Sequence, residues 1–300
     1  MIIVKLIGGL GNQLFQYSFG RYMAELNSTM LKLDITGFDN YKLHRYALHC
    51  FEFNPNIASI DEIVAFRNEN KNFINRFFIQ TVRNSTIFTN PTLKYYTNTI
   101  FIKEKNPLFD STLLNLRGNL YLEGYWQSEK YFLPIRNTLL KELKVRFEQD
   151  SMNSLLANQI RNTSSVSIHI RRGDYVNNQV TQQIHGICTI DYYQNAVKKI
   201  VRKISDPHFF IFSDDPDWVI ENFKIDFPMS IICNNDASNN YEDLRLMSLC
   251  KNNIIANSSF SWWAAWLNTN PDKLVMVPEK WYTDPKINTY DLIPKGWEKA

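Results

Sequence analysis

Apolar and polar positions along the chain switch between two periods, and the switches lay out its elements. Residues 2–7 are a short apolar run closed by Gly8, Gly9 and Gly11, which reads as a buried strand and a turn. From 13 to 26 the apolar positions Phe15, Phe19, Tyr22, Met23 and Leu26 recur at helical spacing, and 30–35 alternates as a strand. Residues 36–117 are less regular. Ile63, Phe66 and Phe73 predict a helix over 61–77, followed by short β-like pieces at 86–89 and 99–103. A strand is expected at 119–125, then a long helix from about 128 to 147 carried by Leu139, Leu140, Leu143 and Phe147. The polar stretch 148–165 holds a second, weaker helix and is the expected connection between domains.

Beyond it the alternation sharpens. Strands are predicted at 165–170, 208–213, 229–233, 253–256 and 274–278, with helices at 191–204, 217–222, 241–250 and 260–267. Strands separated by helices of this length favour parallel sheets with right-handed crossovers. A chain of 300 residues accommodates two ordinary domains. The pattern therefore predicts an α/β protein of two Rossmann-like domains facing a cleft, residues 1–150 and 151–300. It shows no repeat of fixed period.

Composition narrows the class. Hydrophobic residues at 44% and charged ones at 21% exclude a disordered or fibrous chain. With 33 basic and 30 acidic residues there is no nucleic-acid footprint. No apolar stretch reaches the ~20 residues that span a bilayer, and the first residues lack a basic leader, so a cytoplasmic protein without a transmembrane segment is expected, at most loosely membrane-associated. Cys50, Cys188, Cys233 and Cys250 lie far apart and are expected as reduced, buried thiols rather than a disulfide or metal framework.

Four segments can carry chemistry. In Ser167-Ile-His-Ile-Arg-Arg-Gly-Asp-Tyr175, His169 and Arg171 share one face at the end of a strand, where open α/β sheets bind ligands. Arg171 and Arg172 offer forked, permanently charged donors suited to a pyrophosphate, with Asp174 to hold an arginine or accept a proton; the alternative is an Arg–Asp surface network. In Asn257-Ser-Ser-Phe-Ser-Trp-Trp-Ala-Ala265 the serines open a helix whose N–H groups can receive phosphate oxygens, while the tryptophans read as core. Gly8-Gly-Leu-Gly-Asn-Gln13 is a weak dinucleotide turn: it lacks the third glycine, although Asp34 stands near the expected distance, and Asn12 and Gln13 are instead expected to present amides into the cleft. Asp214, Asp215 and Asp217 can bind Mg²⁺ or Mn²⁺ with a nucleotide diphosphate, or cap a helix that Pro216 begins. Tyr125, Trp126 and Gln127 combine an aromatic platform for a sugar with an amide, or are ordinary core at a strand end.

These motifs, with Gly124-Tyr-Trp-Gln127, resemble the α-1,2-fucosyltransferase family, particularly its soluble bacterial members, over nearly the whole chain and in the family's order. The resemblance implies a GT-B-like fold. It implies transfer of L-fucose from GDP-β-L-fucose to the 2-hydroxyl of a terminal β-galactose, as in lactose, lacto-N-biose or an O-antigen unit, with inversion and no essential metal or other cofactor. By position, Arg171 would bind the β-phosphate, Arg172 would assist or brace the loop, and His169 would touch the guanosine. Ser258, Ser259 and Phe260 would line the phosphate and fucose, and Asp243 would read guanine. Gly11 and Asn12 would bring an asparagine to the reaction centre, and Asp174 would serve as a modest base. Three rivals remain: a metal-dependent glycosyltransferase built on Asp214, Asp215 and Asp217, a non-catalytic nucleotide-sugar-binding protein, and a dinucleotide-dependent oxidoreductase.

Overall fold

The computed structural model describes residues 1–39, 43–68, 99–173 and 179–300. They form two compact units, Met1–His49 with Phe53–Glu142, and Cys50–Glu52 with Leu143–Ala300.

In the first unit the apolar run becomes β1 (Ile2–Lys5), followed by α1 (Leu10–Leu26), β2 (Leu31–Asp34), α2 (Ile60–Asn68), β3 (Thr99–Lys103), β4 (Asn119–Glu123) and α3 (Arg136–Glu142). The strands lie in the order β2-β1-β4-β3, all parallel, with Val4 of β1 between Leu33 and Leu122. The central strand is fully buried at Ile2, Ile3 and Val4, as a strand covered on both faces must be. The helix expected over 61–77 is α2 as far as Asn68; its remainder, and the piece at 86–89, lie outside the described residues.

The long helix expected from 128 to 147 does not form. The chain passes instead through 3₁₀ turns at Glu129–Tyr131 and Leu133–Ile135, the second holding Pro134 in its first turn, and α3 covers only Arg136–Glu142. Beyond it the backbone extends to pair with the segment around Phe51: Phe51 bridges Val145, and Arg146 N–H donates to the Cys50 carbonyl at 2.9 Å. The helical spacing of Leu143 and Phe147 is thus overridden by tertiary pairing.

The second unit runs α4 (Ser151–Arg161), β5 (Ser164–Ile170), α5 (Gln179–His185), α6 (Ile190–Val201), β6 (Pro207–Ser213), α7 (Pro216–Asn222), β7 (Met229–Ile232), α8 (Tyr241–Leu249), β8 (Asn252–Ile254), α9 (Ser259–Leu267), β9 (Val275–Val277) and β10 (Glu298–Lys299). Its parallel sheet has the order β10-β9-β8-β5-β6-β7, with Ile168 paired to Ile211 on one side and Ile254 on the other. From β5 the chain winds outward through β6 and β7, then returns to the other side for β8, β9 and β10. The reversal between β5 and β8 is a topological switch point, the place where open α/β sheets bind ligands. Beneath the sheet Val166, Ile168, Phe209 and Ile211 pack with Tyr193, Ala196 and Ile200 of α6. Trp262, Trp263 and Trp266 bury α9, Trp263 and Trp266 meeting edge-on at 5.0 Å. Of the four thiols, Cys50 and Cys250 are buried as expected, Cys188 is partly exposed and Cys233 is exposed; none is in a disulfide. Among the described residues no helix is long and apolar enough to cross a membrane.

Candidate functional site

Three loops meet the carboxyl edge of the second sheet, after β5, β6 and β8. The exits of β5 and β6 are locked in step by Ser213, whose hydroxyl donates to the Ile170 carbonyl at 2.8 Å and accepts from the Asp215 N–H at 3.0 Å. Asp214 then serves both arginines: Oδ1 accepts from the Arg172 N–H at 2.8 Å, and Oδ2 pairs with Arg171 Nη1 at 2.8 Å. A carboxylate with one oxygen tied to backbone and the other to a guanidinium is a bracket that fixes where the guanidinium stands. Gly173 makes room for it, because a Cβ there would lie 2.5 Å from Asp214 Oδ2.

Arg172 has a different setting. Its Nε pairs with Asp215 Oδ2 at 3.0 Å and its guanidinium carbon lies 3.7 Å from the centre of the Trp218 ring, so it is clamped between a carboxylate and an aromatic face. Asp215 Oδ1 also caps α7 at the Trp218 N–H, with Pro216 in the first turn. Asp214 and Asp215, one alternative for which was metal binding, are thus each engaged by an arginine, and Asp217 is exposed in the first turn of α7. Among the described residues no group of three or more His, Cys, Asp or Glu side chains is placed to hold a metal ion. Asp174 lies outside the described residues.

His169, one step back on β5, is buried with its ring 5.6 Å from that of Phe260, joining the end of β5 to the start of α9. Burial draws its pKa down to about 4, against the pull of the Asp214 carboxylate, so the imidazole is neutral at pH 7. Its Nδ1 has no hydrogen-bond partner among the described residues.

After β8, Asn257 pins two loops: its Nδ2 donates to the His185 carbonyl at 2.8 Å and the Trp281 carbonyl at 3.2 Å. Ser258, buried, caps α9 by accepting from the Phe260 N–H at 3.3 Å, while Ser259 and Phe260 stand half-buried in the first turn. Asp243 lies in the first turn of α8, a helix that runs back from the same carboxyl edge. Burial raises its pKa to about 6, opposed by a hydrogen bond from Asn235 Nδ2 at 2.7 Å and reinforced by neighbouring Glu242. The role of Asn235 was not legible in the sequence, where it is one asparagine in a loop rich in them.

The first unit corrects several expectations. Gly8 adopts φ +77°, a conformation that glycine takes without strain, and a Cβ there would lie 2.6 Å from Asn12 Nδ2. Helix α1 begins at Leu10, so Gly11 is a buried helical residue and not part of the turn. Asn12 Oδ1 accepts from Gln127 Nε2 at 2.8 Å. Gln13 presents nothing to a ligand: fully buried, it donates to the carbonyls of Gly8 and Arg45 and accepts from the Ala47 N–H. Asp34 is likewise consumed, accepting from the Thr36 N–H and hydroxyl and from the Tyr121 hydroxyl, which leaves no acidic group for a dinucleotide's ribose. Trp126 is core, at φ +56° with its ring 4.8 Å from Phe19; Glu104 holds the turn by accepting from the Tyr125 and Trp126 N–H groups. Tyr125 alone of the pair is exposed.

The sequence profile of glycosyl transferase family 11 matches residues 1–299. An alpha-1,2-colitosyltransferase of Escherichia coli is 33% identical over 300 residues, covering 99% of this chain and 98% of its own. The O-antigen biosynthesis glycosyltransferase WbnK of Escherichia coli is 31% identical over 299 residues, 92% of this chain and 93% of its own. A galactoside 2-alpha-L-fucosyltransferase of Bos taurus, SEC1, is 28% identical over 152 residues, 49% of this chain and 41% of its own. Among solved structures, the NodZ alpha-1,6-fucosyltransferase soaked with GDP-fucose superposes with a TM-score of 0.53 at 14% identity, covering 89% of this chain and 92% of that one. The fold is GT-B-like.

Proposed function

The chain belongs to glycosyl transferase family 11, and from that premise we propose that it transfers L-fucose from GDP-β-L-fucose to the 2-hydroxyl of a terminal β-galactose, with inversion and without a metal ion. The observation that carries this reading is Arg171 at the switch point of the second sheet: it follows β5, the strand paired with the β8 that leads into α9, and its guanidinium is bracketed by Asp214 just after β6. Glycosyl transfer breaks the bond between the sugar's anomeric carbon and the pyrophosphate oxygen, and the electron pair departs with GDP. The chief task is to stabilise that developing negative charge. Arg171 supplies a fixed positive charge, and the N-terminal N–H groups of α9, with Ser258 and Ser259, supply oriented dipoles. Together they take the part that a divalent cation plays in other nucleotide-sugar enzymes. Arg172, clamped on Trp218 and Asp215, braces the loop.

The remaining roles are those that the family resemblance implies by position. Asp243 accepts from the N1 and N2 donors of guanine, neutral His169 meets the guanosine, and Phe260 lines the sugar. The acceptor's 2-hydroxyl attacks the anomeric carbon from the face opposite GDP and gives up its proton late, to Asp174 as base. Asp174→Asn is expected to lower kcat more than it raises the donor KM; a change confined to the donor KM would make Asp174 a second partner of Arg171.

A second donor is favoured by the Escherichia coli alpha-1,2-colitosyltransferase that matches end to end. Colitose is L-fucose lacking the 3-hydroxyl, so one pyrophosphate site serves either sugar and the choice rests on contacts to that hydroxyl. Incubation with GDP-fucose and with GDP-colitose, each with lactose or lacto-N-biose, followed by product mass, separates the two. A galactoside gaining one fucose supports the first reading; gain of colitose alone replaces the donor while keeping the mechanism.

A further inference from the structure

Asp243 is a carboxylate whose setting is built from amides, and the wiring is unusually closed. Asp150 caps α4, its Oδ1 accepting from the Asn153 N–H at 2.8 Å and its Oδ2 from Asn153 Nδ2 at 2.9 Å. Asn153, fully buried, faces Asn235 in a reciprocal amide pair: Asn153 Nδ2 donates to Asn235 Oδ1 at 3.0 Å, and Asn235 Nδ2 donates to Asn153 Oδ1 at 3.1 Å. Asn239 Nδ2 adds a donor to Asn235 Oδ1 at 3.1 Å. These contacts fix which end of the Asn235 amide is which. The oxygen is surrounded by donors, so the nitrogen must turn outward, where its second hydrogen reaches Asp243 Oδ1 at 2.7 Å.

Asp243 Oδ2 takes no part in that wiring. One carboxylate oxygen is thus held by a donor whose own orientation is enforced three residues deep, and the other is left to accept from a ligand. Rooting this chain in the first turn of α4 joins the carboxyl edge of β7, where Asn235 follows, to the first turn of α8.

We propose that Asn235 is a positioning residue for base recognition: its amide, locked by Asn153, aims the Asp243 carboxylate so that guanine is preferred over bases lacking the 2-amino donor. The inference rests on the reading of Asp243 as the guanine contact, and the two fail in distinguishable ways. A residue that merely stabilised the loop would weaken all nucleotides alike. A positioning residue weakens the one whose extra donor needs the aimed carboxylate.

The test is calorimetric binding of GDP and of inosine diphosphate, which lacks only the 2-amino group, to the full chain and its variants. Asn235→Asp keeps the size and the acceptor but replaces the donor nitrogen by oxygen and adds a negative charge beside Asp243, so Asn235→Ala, which adds none, is measured with it. Each is expected to reduce the ratio of GDP to inosine diphosphate affinity by about tenfold, the scale of a hydrogen bond to a charged group, and Asp243→Asn is expected to do the same. If Asp243→Asn lowers the ratio but Asn235→Asp leaves it at the wild-type value, the positioning role is overturned and the guanine contact stands. If neither variant moves the ratio, both are overturned. Should Asn235→Asp not fold, Asn235→Ala carries the same comparison.

Discussion

At the scale of single residues, Arg171 and Asp214 act as one unit. Replacing Arg171 by Ala removes the fixed charge proposed to face the departing pyrophosphate and is expected to lower kcat/KM at least ~100-fold, as loss of a preorganised charge-stabilising donor does elsewhere. Asp214→Asn leaves that charge but weakens its bracket, so a smaller loss, about tenfold, is expected in the same steady-state assay. Equal losses for the two variants would mean that Asp214 does more than position the arginine. Asp243 carries a pH signature. Its pKa is raised to about 6, so the ionised form, the one proposed to accept guanine donors, is dominant above pH 7 and is lost as pH falls through 6. The preference for GDP over inosine diphosphate, a ratio in which the phosphates' own titration cancels, is therefore expected to be flat above pH 7 and to collapse toward pH 5. Asp243→Asn should make it flat throughout. Residues at strand and helix ends, such as Arg171 and Ser258, were legible in the sequence because periodicity alone puts them at the carboxyl edge. Gln13 and Asp34 were not, because each is consumed by partners from distant segments: Arg45 and Ala47 for the first, Tyr121 for the second. Trp126 is core, one of its two readings from the sequence, packed on Phe19 and Tyr131.

At the scale of elements, the site is held by ends rather than by middles. Ser258 caps α9 and Gly173 gives Asp214 room, so each can be tested for whether it serves stability or chemistry. Ser258→Ala removes a cap worth about 1 kcal/mol and is expected to lower Tm by roughly 2–4 °C in a calorimetric scan, along with a rise in donor KM. Gly173→Ala is expected to leave Tm nearly unchanged. The added Cβ would stand 2.5 Å from Asp214 Oδ2, so the carboxylate gives way at the expense of its bond to Arg171, and transfer falls. Element prediction succeeded where one period ran unbroken between turn signals, as in β5, β6, α8 and α9. It failed at 128–147, where Pro134 and the pairing of Val145 with Phe51 outweigh helical spacing. The two-residue β10 is too short for any periodicity to announce.

At the scale of the whole molecule, two parallel sheets reproduce the β-α alternation, and family 11 membership over residues 1–299 agrees with the motif order. The charge arrangement makes the central claim testable in a single experiment. If Arg171 and the α9 terminus together stabilise the leaving pyrophosphate, no cation is required. The measurement is GDP release from GDP-fucose with lactose and with lacto-N-biose in the presence of EDTA, for the wild-type chain and Arg171→Ala, with the product identified by mass. The account predicts a galactoside heavier by one fucose, formed at the same rate with and without EDTA, and loss of that product in Arg171→Ala. Turnover abolished by EDTA and restored by Mn²⁺, or transfer within a few-fold of wild type in Arg171→Ala, would contradict it.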